Sequence, residues 1–340
     1  MRCVVLAAYL AATGLCAPAL AAPCPGNPHA LGTSRTITID PAQYARLGTM
    51  QYGQFPQLPL ADREVVLTFD DGPVPSYTDS VLRTLASECV RATFFLVGRQ
   101  AALYPEAVQR VHEAGHTIGT HSQNHPLTFD AMAMSLARRE VEDGIAAVNN
   151  ALGEGRTAAP IFRIPGLLRT NEVEDYLSSR GLSVWSVDAD ADDWLRSATP
   201  DMVTAKLLSR IEKRGRGILL LHDVQPVTAL ALPQLLRSLK QRGYRIVHVV
   251  PQGPVRQAPP LMASRQQQQQ QKMQAERQGW PRVASTGPAT DLGFQQWGQP
   301  SVRRQPTPTV QRYTVRSTPP VARRYEIRRT RPPARWTYAR

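Results

Sequence analysis

The sequence predicts an α/β protein whose parallel strands are joined by helical crossovers. Three observations carry this. Between residues 65 and 249, short apolar runs of strand length alternate with longer helical stretches. Pro105 and Pro200 stand near helix starts, where a missing N–H costs little. Gly115, Gly181, Gly215 and Gly243 stand just past helix ends, a favoured place for a left-handed residue. Third, the unusual polar residues fall directly after the strand runs, and in parallel α/β folds those C-terminal strand ends share one face. An incomplete α/β barrel and an open doubly wound sheet both satisfy these observations.

In chain order, residues 1–22 read as a signal peptide. Arg2 supplies the positive start, a short apolar run follows, and Ala19-Leu20-Ala21 forms a small-x-small cleavage site. The run is too short, and too broken by Gly14 and Pro18, for a membrane span. Residues 23–62 form an extension rich in Pro and Gly, with one strand candidate at 36–39, expected to wrap onto the main domain. Seven strands are then predicted at 65–69, 92–97, 117–120, 160–164, 183–187, 217–221 and 244–249. Helices are predicted at 78–88, 101–114, 130–152, 171–180, 200–214 and 229–242. From residue 251 to 340 the composition turns to Gln, Pro, Arg and Thr, with a six-Gln run at 266–271, and reads as a disordered tail.

The net charge of +13 is not spread evenly. Residues 1–250 hold 24 basic and 24 acidic side chains, whereas residues 251–340 hold 16 basic and 3 acidic. A nucleic-acid reading of the folded part therefore has no electrostatic support, and none is expected as a partner. The tail instead suits an electrostatic tether to anionic envelope or wall glycans. Of four cysteines, Cys3 and Cys16 lie in the signal. Cys24 and Cys89 either pair in an oxidising compartment or remain a mobile and a buried thiol.

The chemistry starts at Asp70-Asp71, adjacent carboxylates that close the first strand ahead of Gly72-Pro73. Burying two neighbouring carboxylates is expensive unless a cation or donors compensate. His121 and His125 follow the third strand. Their four-residue spacing would suit one helix face, but His125 precedes Pro126, which disfavours the α region and points to a tight loop. Two His and one carboxylate make a common catalytic zinc set with positions left open. Arg163 follows the fourth strand and can orient a carboxylate through its planar fork. Asp188, Asp190, Asp192 and Asp193 follow the fifth, and His222-Asp223 follows the sixth. His222 suits a general acid, with Asp193 as a carboxylate to hold it protonated.

Together these residues resemble the NodB-type polysaccharide deacetylases, carbohydrate esterase family 4, over about residues 63–250. Thr68-Phe69-Asp70-Asp71-Gly72-Pro73 matches the family's T-F-D-D-G-P. His121-Ser122-x-x-His125-Pro126 matches H-[ST]-x-x-H. Asp190-Ala191-Asp192-Asp193-Trp194 is similar to D-x-x-D-W, and Leu220-Leu221-His222 ends in the family's L-x-H. The resemblance implies a distorted (β/α) barrel of about seven parallel strands. It implies Asp70 as catalytic base, and Asp71, His121 and His125 as ligands of a divalent metal, zinc first, with cobalt or another divalent ion as alternatives. It implies His222 as acid, Asp193 as its tuning partner, Arg163 as support for Asp70, and Leu220 and Trp194 as pocket walls. One motif departs: the family's R-P-P-Y-G is here Arg163-Ile164-Pro165-Gly166-Leu167. Gly166 keeps the backbone N–H that would face the oxyanion, without the aromatic ring.

The implied activity is metal-dependent removal of acetyl groups from N-acetylglucosamine residues of a chitin-type or peptidoglycan glycan. Two alternatives stand beside it: O-deacetylation of a glycan such as acetylxylan, and a secreted glycan-binding protein without turnover. The signal implies export, to the periplasm or beyond, with no transmembrane segment in the mature chain.

Overall fold

A computed structural model describes residues 24–253 and Val255; the segment read as a signal at residues 1–22 and nearly all of the basic tail lie outside the described residues. In chain order the elements are β1 (Thr33–Ile39), β2 (Arg46–Leu47), α1 (Thr49–Tyr52), β3 (Glu64–Asp70), α2 (Pro75–Ser87), β4 (Thr93–Leu96), α3 (Gly98–Leu103) and α4 (Pro105–Glu113). There follow β5 (Thr117–Thr120), α5 (Met134–Leu152), β6 (Ile161–Phe162), α6 (Asn171–Ser179), β7 (Ser183–Trp185), β8 (Ala189–Asp190), α7 (Pro200–Arg214), β9 (Gly217–His222), α8 (Pro226–Gln241) and β10 (Arg245–Pro251).

Every strand pairing is parallel. The run β8-β9-β3-β4-β5-β6-β7 supplies the seven strands of the distorted barrel, and among the described residues no ladder joins β7 to β8. Its membership differs from the sequence expectation. The predicted seventh strand, β10, meets only the first two residues of β3 and pairs along its length with β1. Its place in the barrel is taken by β8, two residues long and too short to announce itself as a periodic run. The predicted helix 101–114 is two helices, because Pro105 starts α4 after a break at Tyr104. The extension does wrap onto the domain: β1 pairs with β10 at one side, and β2 pairs with β7 at the other.

Strand pleat then divides the residues. On β3, Val65, Leu67 and Phe69 face the helices in the larger core, which they share with Leu85, Val108, Leu207 and Leu235. The alternate residues Val66, Thr68 and Asp70 point to the barrel interior, where Val66 packs with Phe95, Ile161, Trp185 and Ile218. All seven β3 residues are buried, as expected for a strand covered on both faces. Gly119 has no side chain for a packing reason: a Cβ there would lie 2.6 Å from Ile161 and 3.0 Å from Phe95.

Two helices begin on a threonine cap. Thr170 accepts from Val173 N–H to open α6, and Thr199 accepts from Met202 N–H to open α7. Cys24 and Cys89 form a disulfide with Cα atoms 5.7 Å apart, which resolves the cysteine alternatives in favour of pairing. Among the described residues, no helix is long and apolar enough to cross a membrane.

Candidate active site

Register brings the chemistry together. β3 and β9 pair so that Thr68 lies beside Leu220 and Asp70 beside His222. The base and acid candidates, 152 positions apart in sequence, are therefore lateral neighbours at the C-terminal end of one ladder. They line a cleft of about 380 Å³ with Asp71, His121, His125, Gly166, Asp190, Trp194 and Leu220.

The two histidines sit in a tight loop, as the proline argument required. Ser122 and His125 both take left-handed backbone, with φ of 63° and 56°. Such residues need support. His125 N–H donates to Ser122 Oγ at 3.0 Å, and Gly98 and Arg99 N–H donate to the carbonyls of Ser122 and Gln123. Asn124 binds Glu140 through both its backbone and side-chain amides at 2.8 Å. The result is convergence. His121 Nε2 and His125 Nε2 lie 3.5 and 3.2 Å from the same atom, Asp71 Oδ1.

This set fits a metal on three grounds. One donor atom from each of Asp71, His121 and His125 lies within 4.8 Å of the others. Asp71 Oδ1 is buried without a hydrogen-bond partner, a costly state for a carboxylate oxygen with no cation nearby. His121 Nδ1 donates to Arg163 O at 2.6 Å, which places the ring proton there and leaves Nε2 a lone pair facing the triad. Burial, helped by the neighbouring His125, holds the His121 pKa well below its ordinary value, so the ring is neutral, as a ligand must be.

Asp70 is inside the protein, 2% exposed. Its Oδ1 accepts from Arg163 at 2.6 Å. The guanidinium also donates to Thr68 Oγ1 at 2.8 Å and to the carbonyls of Trp185 and Ser186, and it stacks on Phe95 at 4.2 Å. Arg163 is fully buried, so this fan of acceptors offsets its desolvation. Burial pushes Asp70 up to about 6 against the opposing pull of Arg163.

His222 is held the other way. Asp193 takes its ring Nδ1 at 2.6 Å and its backbone N–H at 2.8 Å, while the Thr228 hydroxyl donates to the same carboxylate. Burial alone would lower His222, but the Asp193 bond and charge prevail and raise it to about 10. The imidazolium is thus stable at neutral pH.

The chain matches the polysaccharide deacetylase family over residues 58–185. It is 34% identical over 205 residues to the chitooligosaccharide deacetylase of Sinorhizobium fredii, covering 55% of this chain and 90% of that protein. This chain belongs to the polysaccharide deacetylase family. A peptidoglycan-N-acetylglucosamine deacetylase of Bacillus cereus is 32% identical over 188 residues, covering 52% of this chain and 66% of that protein. A peptidoglycan deacetylase of Bdellovibrio bacteriovorus has a similar structure, with a TM-score of 0.56 and 33% identity, over 65% of this chain and 59% of that one. The chain thus spans less than two thirds of each of the last two proteins, 66% and 59% of their lengths.

Within the family frame, the site differs from the sequence expectation in two respects. The acidic run does not act as one group. Asp190 lines the cleft and Asp193 holds His222, but Asp188 turns away to accept from Thr49 and Ile218 N–H, and Asp192 is paired with Lys206 and Arg210. The rim also contains residues that sequence reasoning passed over. Leu127, just after His125-Pro126, is 65% exposed and lines the cleft together with Trp194, which is 55% exposed. A Cβ on Gly166 would lie 3.1 Å from Leu127, so this leucine sits over the position that the family's aromatic ring would leave. Asp223, next to His222 in the sequence, has no motif that announces its role. It is fully buried, accepts from Thr78 Oγ1 at 2.5 Å, and lies so close beneath Gly72 that a Cβ there would be 2.3 Å from its carboxylate. Gly72 is therefore required for the Asp70–Pro73 turn to pass over it.

Proposed function

We propose that this chain is a metal-dependent hydrolase that removes acetyl groups from N-acetylglucosamine residues of a chitin-type or peptidoglycan glycan. The observation that carries this reading is the pairing of Asp70 with His222 beside the Asp71–His121–His125 triad. A carboxylate held by Arg163 and an imidazolium held by Asp193 flank one cation-binding set. The relatives named above act on peptidoglycan N-acetylglucosamine and on chitooligosaccharides, which supports the substrate class.

A divalent cation bound by the triad would supply Lewis-acid polarisation of the acetyl carbonyl and lower the pKa of adjacent water. Two imidazoles and one carboxylate with open positions suit Zn²⁺ first, and Co²⁺ can substitute. Asp70 accepts the proton of the attacking water, and Arg163 keeps the carboxylate aimed. Gly166 lines the cleft and its N–H has no partner among the described hydrogen bonds, so it can donate to the developing oxyanion. As the amide C–N bond breaks, His222 protonates the nitrogen, giving acetate and a free amine. Leu220 and Trp194 wall the acetyl group.

We assign the deacetylase domain to residues 63–250. The chain is exported on the signal read at residues 1–22, and its basic tail binds anionic envelope or wall glycans. Acetate release from chitooligosaccharides, peptidoglycan and acetylxylan, with and without chelator, tests the reading. Chelator-sensitive release from the first two, restored by Zn²⁺, is expected. Release from acetylxylan alone would make it an O-deacetylase, and chelator-resistant release would sink the metal site. Asp70→Asn should lower turnover by at least about 10²-fold while metal stays bound.

A further inference from the structure

The turn that carries Gly166 is held from outside the barrel. Gly166 and Leu167 are consecutive left-handed residues, with φ of 60° and 57°. Glycine adopts this freely, but leucine there costs about 1–2 kcal/mol and persists only where the surroundings impose it. Two bonds close the turn from within: Leu167 N–H to Ile164 O at 2.9 Å and Leu168 N–H to Pro165 O at 3.2 Å. A further bond comes from the N-terminal extension. Gln51 Nε2, on α1, donates to the Leu167 carbonyl at 2.8 Å.

That donor stands on a fixed base. Met50 N–H donates to Val187 O at 3.0 Å, and Thr49 N–H donates to Asp188 Oδ1 at 2.8 Å. Tyr52 is 1% exposed and its hydroxyl donates to Glu174 at 2.8 Å. Glu174 also takes Arg169 at 3.0 Å, two residues beyond the turn. The four-residue helix therefore grips the turn at Leu167 and, through Glu174, just past it.

We propose that Gln51 is a positioning residue for amide hydrolysis. By holding the Leu167 carbonyl it fixes the left-handed turn and keeps the Gly166 N–H directed into the cleft. The extension is on this account part of the working site, not packing alone. The inference rests on the deacetylase reading and on Gly166 as oxyanion donor.

Gln51→Glu keeps the shape but sets an acceptor against a carbonyl, while Gln51→Lys restores a donor of similar reach. Losing an oxyanion donor outright costs about 10²–10³ in kcat, so misaligning one in Gln51→Glu should cost about tenfold or more. KM should stay within about twofold, zinc affinity should be unchanged, and Gln51→Lys should recover most of the loss. Hydrogen–deuterium exchange should quicken at residues 166–169 in Gln51→Glu and return in Gln51→Lys. Wild-type kcat in Gln51→Glu overturns the proposal. So does a loss shared equally by kcat, zinc affinity and melting temperature, which would mark a merely structural role. Should the wild-type chain release no acetate from any glycan, the deacetylase reading fails. The exchange data then decide separately whether Gln51 holds the turn, and unchanged exchange would sink that part too.

Discussion

At the residue scale, the site sets two titrating groups apart by environment. Asp70 has its carboxylate in the barrel interior, and burial raises it to about 6 despite Arg163. His222 is pushed up to about 10 because Asp193 outweighs burial. On the proposed roles, Asp70 as base is ionised and His222 as acid is protonated across the window between those values, so activity should rise through about 6 and fall toward about 10. Asp193→Asn removes the bond and the charge but leaves the burial. The His222 pKa should then fall from about 10, and kcat at pH 7.5 should fall by about 10²–10⁴. The alkaline limb of the kcat/KM profile should move down in pH, and an unmoved limb would exclude Asp193 as the partner that keeps His222 charged. Sequence patterning identified both residues because each ends a strand. It could not identify Leu127 or the role of Asp223, since one depends on the close packing of Leu127 against Gly166 and the other on the close approach of Gly72.

At the scale of elements, the extension is as integral as the strands it flanks. The disulfide ties Cys24 to the end of α2, next to backbone bonds from Gly32 and Thr33 to Glu88 and Cys89. These lead into β1, whose side-by-side run with β10 covers an edge of the sheet. Replacing both cysteines with serine should cost about 2–4 kcal/mol, because a cross-link over a 65-residue separation limits the unfolded chain. The melting temperature should fall accordingly in urea and heat, while zinc affinity should hold, since the disulfide lies away from the triad. A variant as stable as the parent would show that the loop is closed by its hydrogen bonds alone.

At the scale of the whole molecule, two buried imidazoles away from the cleft set an acid limit. His116 accepts from Ala92 N–H, and burial lowers it to about 3, with His248 and Arg91 adding to the effect. His248 lies beside Thr117 at 2.9 Å, and burial with Arg91 nearby lowers it to about 4. Both are neutral when folded and take a proton near 6.5 when unfolded. Below pH 6.5 the unfolded chain binds more protons, so stability is full above 6.5 and declines as pH falls toward 4 and 3. The two together contribute on the order of a few kcal/mol. Urea midpoints at pH 7.5 and 4.5 should differ less in His248→Gln than in the parent, and an equal difference would remove His248 from the account. The charge asymmetry gives another test at this scale. Deleting residues 256–340 removes 15 Arg and 1 Lys against 3 acidic residues, so salt-sensitive binding to anionic glycans should fall while turnover on small oligosaccharides is retained.

Sequence alone determined the class of fold, the triad, the acid and base candidates and the family, because strand–helix alternation and the ordering of polar residues at strand ends are local properties of the chain. It also located the departure at Gly166-Leu167. Tertiary structure decided what depends on contacts between distant segments. It set which strands form the barrel, with β8 inside and β10 joined to β1. It divided the acidic run between the cleft and its surroundings. It paired Cys24 with Cys89, and it placed Gln51 of the extension on the carbonyl of Leu167. Each of these follows from packing and register across tens to hundreds of residues, where a two-residue strand or a single amide has no period or motif to announce it.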